Sequence, residues 1–134
     1  MDANRLLPLL FSLKIIIMKI AIVGGRNFLD YELLKKELAK FTEENEISLT
    51  SIVSGGAKGA DTLAEKFAAE MGVELIVFKP DYEKFGRGAA LARNTQIVEC
   101  ADTVFAFWDG KSKGTLDSIK KAEKLGKKLL IINY

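Results

Sequence analysis

Histidine is absent from this chain of 134 residues, and cysteine occurs once, as Cys100. Without histidine there is no serine–histidine triad, no histidine general base and no histidine ligand for a metal. A single cysteine excludes an internal disulfide and is typical of proteins in a reducing compartment. We therefore expect a cytoplasmic protein with no metal site, and no pattern in the sequence calls for a cofactor.

A strong charge of either sign and a long uninterrupted apolar run are also absent. The chain has 20 Lys and Arg against 18 Asp and Glu, so its net charge of +2 does not require a nucleic-acid partner. Its most apolar stretch, residues 6–23, is interrupted by Lys14 and Lys19 and has no convincing signal-peptide cleavage site. We expect no membrane partner.

The length is that of one domain with one core. The alternation of strand and helix patterns is complete from Met18 onward. We interpret residues 1–17 as an N-terminal extension and residues 18–134 as a single domain. The alternative is that residues 1–17 form a short docking segment.

Short β-branched runs alternate with amphipathic helical patterns along the domain. The predicted strands are residues 18–23, 49–53, 73–78, 103–107 and 128–132. The predicted helices begin after Asp30 and cover residues 60–71, 89–100 and 115–125, with a loop from Pro80 to Gly88. This pattern predicts a Rossmann-like α/β three-layer sandwich: a mostly parallel five-stranded sheet, in the order 3-2-1-4-5, with helices on both faces.

The unusual residues concentrate in the loops that follow strands. These residues are Gly24, Gly25, Arg26, Gly55, Gly56, Lys58, Gly59, Arg87, Gly88, Trp108, Asp109, Gly110 and Gly114. In an open parallel sheet such loops share the carboxyl edge, where ligands bind beside the topological switch point. We expect the loop at Gly25-Arg26 to face the loop at residues 108–115 across that point.

A glycine-rich turn, Ser54-Gly55-Gly56-Ala57-Lys58-Gly59-Ala60-Asp61, joins the second strand to the second helix. Such a turn directs backbone N–H groups and the positive end of a helix toward one point, which predicts a phosphate on the amides of residues 55–59. Gly59 before the small Ala60 indicates that another group approaches the backbone closely. No Gly-Lys-Ser/Thr follows, and the first glycine of the dinucleotide fingerprint is missing, which disfavours a Walker loop and a redox NAD.

Four further side chains are candidate ligand contacts. Arg26 and Arg93 carry guanidinium groups, which suit bidentate phosphate binding. Asn94 falls on the buried stripe of its helix and needs a partner, either a neighbouring loop or a ligand phosphate or ribose. We expect Trp108 at the rim of the crevice, stacked on a base; the alternative is that it covers the core.

Three motifs carry a resemblance to a known family. They are Val53-Ser54-Gly55-Gly56-Ala57-Lys58-Gly59-Ala60-Asp61, then Gly88-x-x-x-x-Arg93-Asn94, then Ala106-Phe107-Trp108-Asp109-Gly110-x-Ser112-x-Gly114-Thr115. Together the region from 18 to 134 resembles the YspA/YpsA-related branch of the SLOG superfamily, which includes the DNA-processing protein DprA and the LOG-type phosphoribohydrolases. The resemblance implies a Rossmann-like domain that senses or processes a nucleotide or nucleotide-derived ligand, and it is compatible with a homodimer.

The LOG enzymes differ from this chain at one motif, Pro-Gly-Gly-x-Gly-Thr-x-x-Glu. Here Lys111-Ser112-Lys113 precedes Gly114-Thr115, and the nearest acid is Asp117, one residue early. Arg93 matches the LOG arginine. One alternative is therefore hydrolysis of the N-glycosidic bond of a nucleoside monophosphate, with Asp117 or Asp61 supplying the catalytic carboxylate.

A lysine-rich segment, residues 111–128, leaves a third function open. Its lysines are Lys111, Lys113, Lys120, Lys121, Lys124, Lys127 and Lys128. A solvated helix face is the usual explanation; the alternative is a surface for single-stranded nucleic acid, as the DprA relatives imply. The ligand-binding residues expected from the sequence are Gly24, Gly25, Arg26, Ser54, Gly55, Gly56, Ala57, Lys58, Gly59, Arg93, Asn94, Trp108, Gly110, Gly114 and Thr115.

Overall fold

The computed structural model describes residues 16–134. The strands are β1 (Ile16–Gly24), β2 (Ile47–Ser54), β3 (Glu74–Val77), β4 (Thr103–Trp108) and β5 (Lys128–Asn133). The helices are α1 (Tyr31–Glu44), α2 (Ala60–Met71), α3 (Tyr82–Phe85), α4 (Ala89–Cys100) and α5 (Lys113–Lys124), with a 3-10 turn at Gly86–Gly88 between α3 and α4. In this part of the chain no helix is long and apolar enough to span a bilayer.

The five strands form one parallel sheet in the order β3-β2-β1-β4-β5, which confirms the predicted order. In the centre of the sheet, Ile20 of β1 pairs with Ile52 of β2 on one side and with Thr103 of β4 on the other. The β1 residues from 20 to 23 are all buried. A strand covered on both faces needs apolar side chains at every position, which explains the continuous apolar run.

Helices cover both faces of the sheet, as predicted. On one face Ile20, Ile22 and Phe105 pack with residues of α1 and α2. On the other face Ala21 and Val104 pack with residues of α4 and α5. The molecule is therefore the expected three-layer Rossmann-like sandwich, with the sheet between two apolar layers.

Local signals fix the helix ends. The carboxylate of Asp30 accepts a hydrogen bond from the backbone N–H of Leu33 at 3.0 Å, which caps α1 as predicted. Gly72 ends α2 in the left-handed conformation, with φ +66°. The loops before α1 and α2 meet at the carboxyl edge of the sheet because they follow the neighbouring parallel strands β1 and β2.

Several element boundaries differ from the sequence prediction by one or two residues, and the start of β1 bears on the predicted domain boundary. Strand β1 begins at Ile16 instead of Met18, because Ile16 and Ile17 pair with Ile47 and Ser48 at the start of β2. The predicted boundary after residue 17 therefore falls within β1, and residues 1–15 lie outside the described range.

The loop predicted after Pro80 is also partly wrong, since residues 82–88 form α3 and the 3-10 turn. The carboxylate of Asp81 accepts from the N–H of Lys84 at 3.1 Å and caps α3. The short helix brings the chain from β3 on one side of the sheet to the start of α4.

Candidate functional site

A crevice of about 490 Å³ lies at the carboxyl ends of the central strands. Four segments form its walls: the β1–α1 loop, the glycine-rich turn with the start of α2, helix α4, and the β4–α5 loop with the start of α5. The crevice thus occupies the switch point of the sheet, where β1 separates the two halves of the strand order. The β1–α1 and β4–α5 loops both line it.

The structure brings ten of the predicted site residues to this crevice and leaves the others outside its lining. Those that line it are Gly24, Gly25, Arg26, Ala57, Lys58, Asp61, Arg93, Asn94, Gly114 and Thr115. Those outside the lining are Ser54, Gly55, Gly56, Gly59, Trp108, Gly110 and Asp117. The crevice is also lined by residues that were not predicted as ligand contacts, Asn27, Leu91, Asp109 and Ser118, and by Ser112 of the β4–α5 loop.

Gly59 is required by contact with the protein itself. Its φ is +75°, and a Cβ at this position would lie 2.4 Å from the carbonyl oxygens of both Gly25 and Arg26. The N–H of Ala60 donates to the carbonyl of Gly25 at 3.2 Å. A group does approach the backbone closely here, as the sequence indicated, but that group is the β1–α1 loop and not a ligand.

Gly24 allows a similar close contact one strand away. A Cβ on Gly24 would lie 2.8 Å from the Cβ of Ala60 and 2.8 Å from the carbonyl oxygen of Phe107. The ends of β1 and β4 and the start of α2 can therefore approach one another only around a residue without a side chain. Gly24 and Gly59 therefore allow the segments around the crevice to pack closely against one another.

Asp61 occupies part of the turn that was expected to hold a phosphate. The side chain is 9% exposed, and its Oδ2 accepts a hydrogen bond from the N–H of Ala57 at 3.0 Å. Burial raises the pKa of Asp61, although the Ala57 N–H and the charge of Arg93 act in the opposite direction. The expectation of free amides over residues 55–59 is therefore corrected at Ala57, whose N–H already binds an internal carboxylate.

Arg93 and Asn94 are held by neighbouring protein groups. Nη1 of Arg93 donates to the carbonyl of Gly55 at 2.8 Å, and its Nε donates to Oδ1 of Asn94 at 3.0 Å. Nδ2 of Asn94 in turn donates to Oδ2 of Asp117 at 3.1 Å. Of the two alternatives for Asn94, a partner within the protein is the one observed.

Asp117 lies behind this pair and outside the crevice. Its carboxylate accepts from Asn94 and forms an ion pair with Lys121, whose Nζ is 2.8 Å away. Lys121 Nζ also donates to the carbonyl of Leu91 at 2.6 Å. Asp117 is thus engaged by an amide and an ammonium outside the crevice lining, and its catalytic role stays a prediction; Asp61 is the predicted catalytic carboxylate that lines the crevice.

Trp108 covers the core instead of the crevice. Its indole N–H donates to the carbonyl of Ser112 at 3.1 Å, and its ring packs against the apolar layer under α4 and α5. Trp108 does not line the crevice, so of the two alternatives packing against the core is the one observed, and stacking on a base stays a prediction.

The β4–α5 loop is closed by a side-chain cap. Oδ1 of Asp109 accepts from the N–H groups of Lys111 and Ser112, each at 2.8 Å, and these bonds hold the pKa of Asp109 below its usual value. Ser112 then caps α5 through the N–H of Thr115 at 3.4 Å. Asp-Gly followed by Ser is a turn signal, so this loop geometry was available from the sequence.

The β1–α1 loop is fixed by the last residue of the chain. The hydroxyl of Tyr134 donates to Oδ1 of Asn27 at 2.6 Å, and its ring lies 4.8 Å from the ring of Phe28. A Cβ on Gly25 would be 2.5 Å from the Tyr134 hydroxyl oxygen. No local signal in the sequence predicts this contact, because the two residues that form the hydrogen bond are 107 positions apart.

Two exposed cations, Arg26 and Lys58, line the outer part of the crevice. Within residues 16–134 the ion pairs are Lys35–Glu32 and Lys121–Asp117, so neither of these cations has an acidic partner. The crevice therefore has the buried carboxylate of Asp61 in its wall and the positive charges of Arg26 and Lys58 at its rim. Over the same residues, no three acidic or thiol side chains gather in a metal-binding arrangement.

The lysine-rich segment is only partly a free surface. Besides Lys121, the Nζ of Lys127 donates to the carbonyl of Glu99 at 3.3 Å, and the Nζ of Lys128 lies 5.4 Å from the centre of the Phe41 ring. Lys111, Lys113, Lys120 and Lys124 are exposed.

Comparison with known proteins gives a consistent result. The family described as "YspA, cpYpsA-related SLOG family" matches residues 18–85. The Gene 61 protein of Mycobacterium phage D29 is 32% identical over 122 residues, which cover 87% of this chain and 95% of the phage protein.

Two solved structures of DNA processing protein A share the fold. The protein from Helicobacter pylori, described for its single-stranded DNA binding mode, superposes with a TM-score of 0.63 at 26% identity, over 85% of this chain and 64% of the other. The protein from Streptococcus pneumoniae superposes with a TM-score of 0.67 at 24% identity, over 91% of this chain and 52% of the other. This chain thus spans less than two thirds of either structure.

Proposed function

Because this chain belongs to the YspA, cpYpsA-related SLOG family, we propose that its crevice binds a nucleotide or a nucleotide-derived ligand. The observation that carries the proposal is the charge arrangement of the crevice, which combines the exposed cations Arg26 and Lys58, neither of them ion-paired within residues 16–134, with the buried Asp61. A nucleotide has the complementary arrangement, since its phosphate is anionic and its ribose offers hydroxyl donors. The volume of about 490 Å³ suits a ligand of that size.

The two exposed cations are the proposed contacts for the phosphate. Arg26 follows β1 and Lys58 lies in the glycine-rich turn before α2, so both stand at the carboxyl edge of the sheet. Arg93 contributes by holding the turn through Gly55, since two of its nitrogens already donate to protein oxygens.

A thermal-shift measurement with AMP and ADP-ribose tests the proposal. A ligand that binds only the folded protein adds about 2.7 kcal/mol at a concentration one hundred times its Kd, so the melting temperature should rise. The double variant Arg26→Ala/Lys58→Ala should lose most of this shift. The matched control is Lys36→Ala/Lys40→Ala, which removes two exposed charges from α1 and should leave the shift unchanged. Melting curves that stay flat across a broad panel of nucleotides would overturn the proposal.

Single-stranded nucleic acid is a second candidate ligand. It is favoured by the likeness to the Helicobacter pylori protein, whose structure is described for single-stranded DNA binding. The surface would be the exposed lysines of α5 and the loop before it, Lys111, Lys113, Lys120 and Lys124. Fluorescence anisotropy with a labelled oligo-dT would show an affinity that falls steeply with salt. No binding at low salt would remove this candidate.

A further inference from the structure

We propose that Asp61 makes the crevice selective for ribose over 2′-deoxyribose, and that the anionic end of the ligand lies at the rim instead of on the glycine-rich turn. This inference rests on the proposed nucleotide-binding function and specifies the sugar that the ligand must carry. The observation behind it is that an internal carboxylate already occupies the turn.

The turn already holds an anion of the protein itself, the carboxylate of Asp61. Its Oδ2 accepts from the N–H of Ala57 at 3.0 Å, and Arg93 fixes the turn beside it by donating to the carbonyl of Gly55 at 2.8 Å. A Cβ on Gly55 would lie 3.1 Å from Oδ2 of Asp61, so the carboxylate packs directly against the backbone of the turn. A phosphate placed there would meet a negative charge in a largely buried site, where repulsion between like charges is poorly screened.

Hydroxyl donors suit the same position. A carboxylate has about four acceptor positions, and at Asp61 the N–H of Ala57, the N–H of Gly55 and the hydroxyl of Ser54 use three of them, which leaves about one for a hydroxyl of the ligand. The acid is 9% exposed and lines the crevice, so its remaining acceptor capacity is open to a ligand there. A ribose diol supplies hydroxyl donors, whereas a phosphodiester supplies none.

The other polar groups in the wall of the crevice are engaged with the protein. Nδ2 of Asn94 donates to Asp117, the hydroxyl of Ser118 donates to the carbonyl of Gly114 at 3.4 Å, and the hydroxyl oxygens of Thr115 and Ser112 lie 3.0 Å apart. Asp109 is the second acid in the lining, and its Oδ1 accepts from two backbone N–H groups of its own loop. Asp61 is therefore the buried anionic acceptor of the crevice.

The experiment compares AMP, 2′-deoxy-AMP and 3′-deoxy-AMP by calorimetric titration. The wild-type protein should bind AMP roughly tenfold or more tightly than the deoxy compounds, the expected effect of losing a hydrogen bond to a charged group. In Asp61→Asn, whose amide oxygen can still accept from Ala57, the preference should fall by about the same factor. Glu65→Gln, an exposed change one turn along α2, is the matched control and should keep the preference.

Each outcome decides one of the two proposals. Equal binding of AMP and its deoxy forms by the wild-type protein overturns the ribose assignment but leaves nucleotide binding standing. An absence of binding by AMP, GMP, CMP, UMP and ADP-ribose overturns nucleotide binding itself. A preference that persists in Asp61→Asn and disappears in Asp109→Asn transfers the role to Asp109 and overturns the assignment. If Asp61→Asn does not fold, Asp109→Asn decides: a preference lost in that variant overturns the assignment to Asp61, and a preference kept there supports it.

Discussion

Gly59 allows the β1–α1 loop to pack against the start of α2. Since a Cβ there would lie 2.4 Å from two carbonyl oxygens in a left-handed backbone conformation, Gly59→Ala forces the β1–α1 loop away from α2. We expect a loss of about 2–4 kcal/mol in the free energy of unfolding, measured by urea denaturation.

Gly114→Ala is the control for this change. A Cβ on Gly114 meets no atom within 4 Å, and the residue lies in α5, where alanine is favoured over glycine. Its unfolding free energy should stay the same or rise slightly. If both variants lose stability equally, the loss reflects glycine content in general and not the contact at Gly59.

Asp61 should make stability depend on pH. Burial raises its pKa in the folded protein, so the folded state binds this proton more tightly than the unfolded state. Stability from this group is therefore full below the unfolded-state pKa, about 3.9, and is lost as pH rises through the raised folded-state value. Asp61→Asn removes the titration.

The comparison is made by urea denaturation of wild type and Asp61→Asn from about pH 4 to about pH 8. The stability of the variant relative to wild type should increase with pH across this range. A constant difference at every pH would contradict the prediction. Glu65→Gln, exposed on the same helix, provides the reference for a carboxylate whose burial plays no part.

At the level of elements, a chain of polar contacts connects the glycine-rich turn to α4 and α5, the two helices on the other face of the sheet from α2. It runs from the Gly55 carbonyl through Arg93 and Asn94 on α4 to Asp117 and Lys121 on α5. Asp117→Ala leaves Lys121 without its acid and removes one partner of the buried Asn94. We expect a loss of about 1–3 kcal/mol in the free energy of unfolding, measured by urea denaturation.

Glu123→Ala is the matched control, because it removes an exposed carboxylate from the same helix. Its unfolding free energy should change by less than about 0.5 kcal/mol. If Asp117→Ala behaves like this control, the contacts of Asp117 with Asn94 and Lys121 do not stabilise the packing of α4 against α5.

The elements themselves were largely predictable from the sequence, and their exceptions have physical causes. Apolar periodicity and the cap at Asp30 predicted the long helices, because burial on one face leaves a repeating pattern. Helix α3 was missed, since four residues are too few to display a helical period. The start of β1 was missed because pairing with Ile47 sets it, and pairing partners are distant in sequence.

The site was predictable in position but less so in its contacts. The strand order placed it at the switch point, and ten predicted residues line the crevice. The sequence could not reveal which polar groups would satisfy one another: Ala57 with Asp61, Asn94 with Asp117, and Trp108 with Ser112. A buried polar group binds whichever partner the fold brings near, and that information lies in tertiary structure.

For the whole molecule, the central position of β1 predicts how the protein opens. Residues 20–23 are buried and pair with β2 on one side and β4 on the other, whereas β5 is an edge strand in which Ile131 is 41% exposed. Native-state hydrogen exchange should therefore be slowest at the amides of β1 and β4, near the global unfolding free energy, and faster in β5. Equal protection of β5 and β1 would contradict this expectation.

The position of the crevice also bears on the synthesis of the protein. Its lining extends from Val23, at the end of the first strand, to Ser118 in the last helix. The crevice is therefore complete only once the chain has been synthesised as far as residue 118. A translation product that stops before β4 lacks the β4–α5 loop and α5, and with them one wall of the crevice.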